Sequence, residues 1–215
     1  KGLSVRVDWV LSDIQVPYTM EYLVRDNGTV IVTGSIDLTG TKLPELPRFG
    51  MRMELHQPYE NLTYYGRGPF ENYIDRYSAF IGRYEDKVEN QFYWYIRPQE
   101  TGNKTDVRWL TLLDSGGLGV KITGLQPISF SALHFSPEDL DPGLTRKLQH
   151  TIDIVPQKNI FLHVDLKQRG LGGDNSWGMY PHNEYRLLDK KYTYSYMIEL
   201  VEKGSDKNDY LNSRK

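Results

Sequence analysis

The sequence predicts an all-β fold, an antiparallel sandwich forming one domain over residues 1–202, with a polar tail over 203–215. Three observations carry this. Short apolar runs are broken by turn residues at close intervals. Tyrosine is abundant, at 16 residues, and aromatic side chains suit a pleated, half-buried surface. Helix signals are nearly absent, so only one or two short helices are expected.

In chain order, Met20 to Val24 and Thr29 to Ile36 flank Asp26-Asn27-Gly28, a hairpin signal because Asn and Gly accept positive φ. Thr39 to Arg48, with Gly40, Pro44 and Pro47, predicts a loop crossing between sheets. Met51 to His56 alternates apolar and polar residues, as a strand with one buried face does. Further strands are expected at Leu62 to Tyr65, Gln91 to Ile96, Val107 to Leu113, Gly119 to Thr123 and Ile128 to Leu133. The last group is Ile152 to Val155, Phe161 to Leu166, Tyr185 to Leu188 and Tyr192 to Val201. The best helix signal is Ser136-Pro137-Glu138-Asp139-Leu140, with a capping Ser, a first-turn Pro and two acids facing the dipole. A weaker one covers Tyr73 to Phe80. That many strands exceed a seven-stranded immunoglobulin domain.

At 215 residues the chain can bury a sizeable core without staples, and it has no cysteine. A formal net charge of −2 argues against nucleic-acid or anionic-membrane partners, which call for a basic excess. No apolar run reaches membrane-spanning length. The start, Lys1-Gly2-Leu3 without Met, fits an excised fragment, so the compartment stays open between bacterial cytoplasm and periplasm.

Two segments concentrate chemistry. In the first, Gly66-Arg67-Gly68-Pro69 leads into Glu71, Asn72, Tyr73, Asp75 and Arg76. Glycines let the chain turn tightly, and the polar group that follows could ligate sugar hydroxyls or pair two carboxylates, Glu71 and Asp75, for hydrolysis. The alternative is a buried knot of hydrogen bonds and ion pairs that fixes a loop, and that reading is favoured. In the second, Gly170, Gly172 and Gly173 precede Asp174-Asn175-Ser176-Trp177-Gly178. Such a loop can approach a ligand closely, with an indole to stack on a sugar face; a core role for Trp177 stays open. Trp94 and Trp109, inside expected strands, suit the core better. No Lys-Ser or Lys-Thr helix start follows these glycines, which excludes a P-loop.

The five histidines are scattered without zinc-ligand spacing. His134 and His163 fall in or beside expected strands, where satisfied buried imidazoles are the favoured reading. Glu138, Asp139 and Asp141 lack the EF-hand pattern.

Taken together, the motifs resemble the C-terminal, small-chain region of lac-type β-galactosidases of glycoside hydrolase family 2. The segments that carry the resemblance are Gly66-Arg67-Gly68-Pro69-Phe70-Glu71-Asn72-Tyr73-Ile74-Asp75-Arg76, then Tyr95-Ile96-Arg97-Pro98-Gln99-Glu100-Thr101-Gly102-Asn103 with Arg108 and Trp109. Ser131, Leu133-His134 and Ser136 to Leu140 come next, and Gly170 to Trp177 closes the series. The resemblance implies a galactose-mutarotase-like supersandwich of two large antiparallel sheets. It implies that the catalytic glutamates lie on a (β/α)₈ barrel elsewhere in the parent chain. It further implies that Trp177 reaches over the mouth of that barrel to stack on a β-galactoside. Asp174, Asn175 and Ser176 would bind or hold this site, Gly172 and Gly173 would shape the loop, and Glu71, Asn72, Asp75 and Arg76 would be structural. No catalytic residue, metal or cofactor is expected in this domain; Mg²⁺ and Na⁺ would belong to the parent's barrel, and the parent would be a homo-oligomer. On the resemblance the fragment alone is inactive. The rival functions are an aldose 1-epimerase, using His134 or His163 with Glu71, a stand-alone carbohydrate-binding module, and a purely structural domain that seals the barrel and mediates oligomer contacts.

Overall fold

The computed structural model describes residues 2–141, 143, 150–175 and 177–202; the expected polar tail, 203–215, lies outside them. Among the described residues ten strands form: β1 (Gly2–Leu11), β2 (Val16–Arg25), β3 (Val30–Asp37), β4 (Arg48–Leu55) and β5 (Asn61–Gly68) come first. They are followed by β6 (Phe80–Lys87), β7 (Lys104–Leu113), β8 (Gly119–Leu133), β9 (Ile160–Gln168) and β10 (Lys191–Val201). Every described pairing is antiparallel. Among the described residues no helix is long and apolar enough to cross a membrane.

The order β1-β2-β3-β10-β8-β7-β5-β6 makes one broad layer. Strand β8 belongs to two layers. Its first part, Gly119 to Gly124, lies against β10 and β7 in the broad layer. Its last part, Ser129 to Leu133, pairs with β9, which in turn pairs with β4. The sandwich is therefore a single branched sheet whose β9–β4 leaf folds back over the broad layer. Aromatic contacts mark the overlap: the Phe49 ring of β4 meets Tyr18 of β2 and both Tyr192 and Tyr194 of β10. The Tyr194 hydroxyl crosses the gap to donate to the Val164 carbonyl of β9 at 3.0 Å. Between the layers sit Val32, Leu62, Leu110, Ile122, Phe130, Leu162 and their neighbours, all but excluded from water. Burial of that apolar area is the dominant favourable contribution to folding.

The Asn27-Gly28 hairpin forms between β2 and β3, with the Asn27 side chain accepting from the Thr29 amide. Helix α1 (Pro137–Leu140) is the short helix expected. Ser136 and Asp139 cap each other's backbone amides reciprocally, which stabilises a helix of a single turn. Glu138 pairs with Arg52 at its exposed side.

Several expectations need correction. Gln91 to Ile96 is not a strand. A 3₁₀ turn over Val88–Gln91 leads into a loop, because Phe92 is drawn into a satellite cluster with Leu133, Phe135, Leu140 and Ile154. Trp94 is consequently 61% exposed and not core, whereas Trp109 is half-buried within β7. Ile152 to Val155 is also not a strand; Thr151–Asp153 turns as a 3₁₀ helix, with Asp153 accepting from the His150 amide. At Tyr185 to Leu188 only Leu187 pairs, with Leu46, after another 3₁₀ turn over Asn183–Tyr185. The weak helix at Tyr73 to Phe80 is replaced by a tight turn in which Tyr73 and Arg76 exchange both backbone hydrogen bonds. Strands β1 and β6 have no counterpart in the sequence reading.

Candidate functional site

Two loops at the ends of β5 and β9 carry the residues singled out by the sequence, and the structure brings them together. The first, residues 69–79, is held by Asn72, which is 1% exposed. Its carboxamide donates to the Arg67 and Phe70 carbonyls at 3.1 and 2.9 Å. It accepts from the Thr105 amide and hydroxyl at 2.8 and 2.6 Å. Asn103 completes the knot: its carbonyl takes the Asn72 amide, and its side chain donates to the Asn72 carbonyl. This use buries Asn103 and removes the glycosylation-like sequence at Asn103-Lys104-Thr105 from the surface.

Glu71 is surrounded by donors. One oxygen accepts from Tyr95 and Arg76, and the other from the Gly102 amide at 2.8 Å, the Thr101 hydroxyl at 3.1 Å and Tyr73 at 3.4 Å. Burial pushes the carboxyl up, but the Tyr95 and Gly102 hydrogen bonds and the Arg76 guanidinium outweigh it and hold Glu71 below the usual range. It is a fixed carboxylate, the wrong protonation state for a general acid. Arg76 also lies over the Tyr73 ring at 5.2 Å.

Asp75 faces the other way, to the second loop. One oxygen accepts from the Gly172 amide at 2.7 Å, and the other is buried with no hydrogen-bond partner among the described residues. A Cβ on Gly170 would stand 2.6 Å from the Asp75 carboxyl carbon, and one on Gly173 only 2.1 Å from the Met179 carbonyl oxygen. Gly170 thus leaves room for the Asp75 side chain, and Gly173 for the backbone at Met179. Gly172 has more room, at 3.4 Å from Asp75.

At the tip, Trp177 is 91% exposed, its amide bonded to the Asn175 side chain at 2.8 Å. Asp174 accepts from His182 across the loop at 2.8 Å, and that hydrogen bond raises the His182 pKa. Ser176 lies outside the described residues. The loop's base is fastened by Glu45, which pairs with Arg169 at 3.0 Å and Arg186 at 2.6 Å. Both guanidiniums also flank the Tyr180 ring. Nothing in the sequence pointed to Glu45, whose partners are more than a hundred positions away.

A second polar group was equally hidden. Arg48 reaches Glu100 at 2.9 Å, Gln168 at 2.8 Å, His163 at 3.0 Å and the fully buried Asp165 at 3.0 Å. Burial pushes Asp165 up to about 7, against the pull of Arg48. Burial, with Arg48 and Arg52 nearby, pushes His163 down to about 3, so its imidazole is neutral. His134 is held between Glu60 and the Asn159 carbonyl. Both histidines are thus engaged away from Glu71. Among the described residues no three His, Asp or Glu side chains form a group able to hold a metal ion.

Comparison with known proteins agrees with the motifs. The family described as "Beta galactosidase small chain" matches residues 3–198. A β-galactosidase of Priestia megaterium is 34% identical over 200 residues, covering 92% of this chain and 18% of its own length. One of Streptococcus thermophilus is 36% identical over 204 residues, covering 91% and 19%. β-Galactosidase BgaC of Bifidobacterium adolescentis is 34% identical over 175 residues, covering 79% and 16%. The chain spans under a fifth of the length of these relatives. With the match running from β1 almost to the end of β10, the chain belongs to the β-galactosidase small-chain family.

Proposed function

We propose that this chain is the C-terminal domain of a β-galactosidase of glycoside hydrolase family 2, completing the sugar-binding mouth of a catalytic barrel located elsewhere in the parent. The observation that carries the reading is Trp177. A large indole held almost entirely in solvent, on a loop whose base is tied down, supports a contact with something outside this domain. An indole face suits the C–H face of a galactoside, and aromatic stacking contributes on the order of 1 kcal/mol.

In this reading Asn175 and Asp174 fix the tip through Trp177 and His182, and Ser176 lies beside them in sequence. Gly172 and Gly173 let the loop fold onto Asp75 and Met179. Glu71, Asn72, Asp75 and Arg76 act as the platform and not as catalytic groups. The hydrolytic glutamates, and any Mg²⁺ or Na⁺ they require, belong to the barrel, and assembly into a homo-oligomer belongs to the parent. The mutarotase-like likeness is one of fold, without that chemistry.

Stacking on a bound sugar contributes to ground-state and transition-state binding alike. Trp177→Ala in the full-length enzyme is expected to raise KM severalfold while leaving kcat largely intact. An unchanged KM for every β-galactoside tried defeats this role. The 215-residue chain alone is expected not to hydrolyse a chromogenic galactoside; turnover by the pure chain overturns the assignment of catalysis to the barrel.

A further inference from the structure

Beside the Glu71 platform lies a cavity of about 740 Å³, within the range of small-molecule clefts. No residue of the Trp177 loop lines it. Lys104 does, with only 2% of its surface exposed. Its ammonium donates to the Gly102 carbonyl at 3.1 Å, its one hydrogen bond among the described residues, which leaves two of its three N–H groups for a ligand. Burial lowers Lys104 to about 8, with Glu71 and Asp86 pulling it back up, so the amine is mainly charged at neutral pH.

Asn90 donates to Asp86 at 2.7 Å, and Gln91 donates to the other Asp86 oxygen at 3.0 Å. These bonds aim a fixed carboxylate and two carboxamides along one wall. The wall is not built for a charged ligand. Two carboxylates, Glu71 and Asp86, balance two cations, Arg76 and Lys104. Glu71 is already saturated with donors. On the rim, Phe70 is 73% exposed and Tyr93 58%, although both belong to the lining.

Net neutrality, spare donors on a buried ammonium and two solvent-facing rings together select a ligand that is uncharged, rich in hydroxyls and apolar on one face. We propose that this cavity is a second saccharide-binding site, taking one or two neutral pyranose units between Phe70 and Tyr93 with hydroxyls on Lys104 and Asn90. It is distinct from the Trp177 loop, none of whose residues lines it, although both rest on the Glu71, Asn72 and Arg76 platform.

The test is an NMR titration of the 215-residue chain with methyl β-D-galactoside and, separately, methyl β-D-galacturonate and sulfate. The neutral glycoside is expected to shift the Phe70, Asn90, Tyr93 and Lys104 signals saturably in the millimolar range. Phe70→Ala removes a mostly exposed ring that the core does not need, and should weaken the response about fivefold. Trp177→Ala should leave it unchanged. No saturable shift, an equal response in Phe70→Ala, or loss of the response in Trp177→Ala each overturns the proposal. So does a response to galacturonate or sulfate without one to the neutral glycoside, which makes the cavity an anion site.

Discussion

Residues 71–76 and 170–177 each follow a strand, each carry acid and amide residues, and touch one another through Asp75 and Gly172. Their outcomes are opposite. In the first loop the polar atoms of Glu71 and Asn72 are used up within the protein, and Asn72 is sealed from water. In the second, the described residues of the tip make few bonds and present their largest side chain to solvent. Similar composition thus serves an internally bonded knot in one case and an outward-facing side chain in the other. What separates them is the neighbouring chain: the 101–105 segment supplies partners to the first loop, while past Gly172 the second has mostly its own residues.

Substitutions can break or sharpen this contrast. The largest effect is expected for Glu71→Ala. Removing a nearly buried carboxylate leaves Tyr95 and the Gly102 amide without their acceptor, while the half-exposed Arg76 turns to water, a loss of about 2–4 kcal/mol. Urea denaturation measures it, and a loss below about 1 kcal/mol would show that the platform is not what holds this region. Gly170→Ala comes next, at about 1–3 kcal/mol, because its Cβ meets the Asp75 carboxyl and must push the two loops apart. On the sugar-stacking role proposed for Trp177, it should also raise KM of the full-length parent by displacing that ring. Equal stability and KM would mean that the loops are not coupled through Asp75.

His163 provides a pH contrast. Its folded pKa, about 3, lies below the ordinary imidazole value, so the unfolded chain binds the proton first as pH falls. The stability it contributes is complete above about pH 6.5 and is lost progressively as pH falls toward 3. His163→Gln should therefore close its stability gap to wild type, or overtake it, on acidification over that window. Parallel pH profiles refute this. The smallest stability effect is expected at Trp177: replacement by Ala should change unfolding free energy by no more than about 0.5 kcal/mol, since so little of the ring is buried. A large loss would make Trp177 structural after all.

The sequence made the strand-rich class, the Asn27-Gly28 hairpin and the capped turn at Ser136 legible, because each rests on local rules. It failed where tertiary packing decided. The aromatic run Phe92 to Trp94 has strand propensity, yet with Phe92 pulled under Phe135 and no strand alongside, it is a loop. Strand β1 escaped notice because its residues are exposed almost throughout, leaving no buried-face alternation to read. At the site, the glycine-rich loop and its Trp were legible as a pattern. The Glu45 clamp, the Arg48 group and the burial of Lys104 were not, because they join residues distant in sequence.

Strand β8 has a final consequence, for the order in which the molecule comes apart. Because it is hydrogen-bonded in both layers, neither layer can melt without stripping a partner from the other. Its central amides, around Ile122 and Phe130, are buried on top of this. They should be the last to exchange with deuterated solvent, at a rate set by global unfolding, while those of β1 exchange early by local fraying.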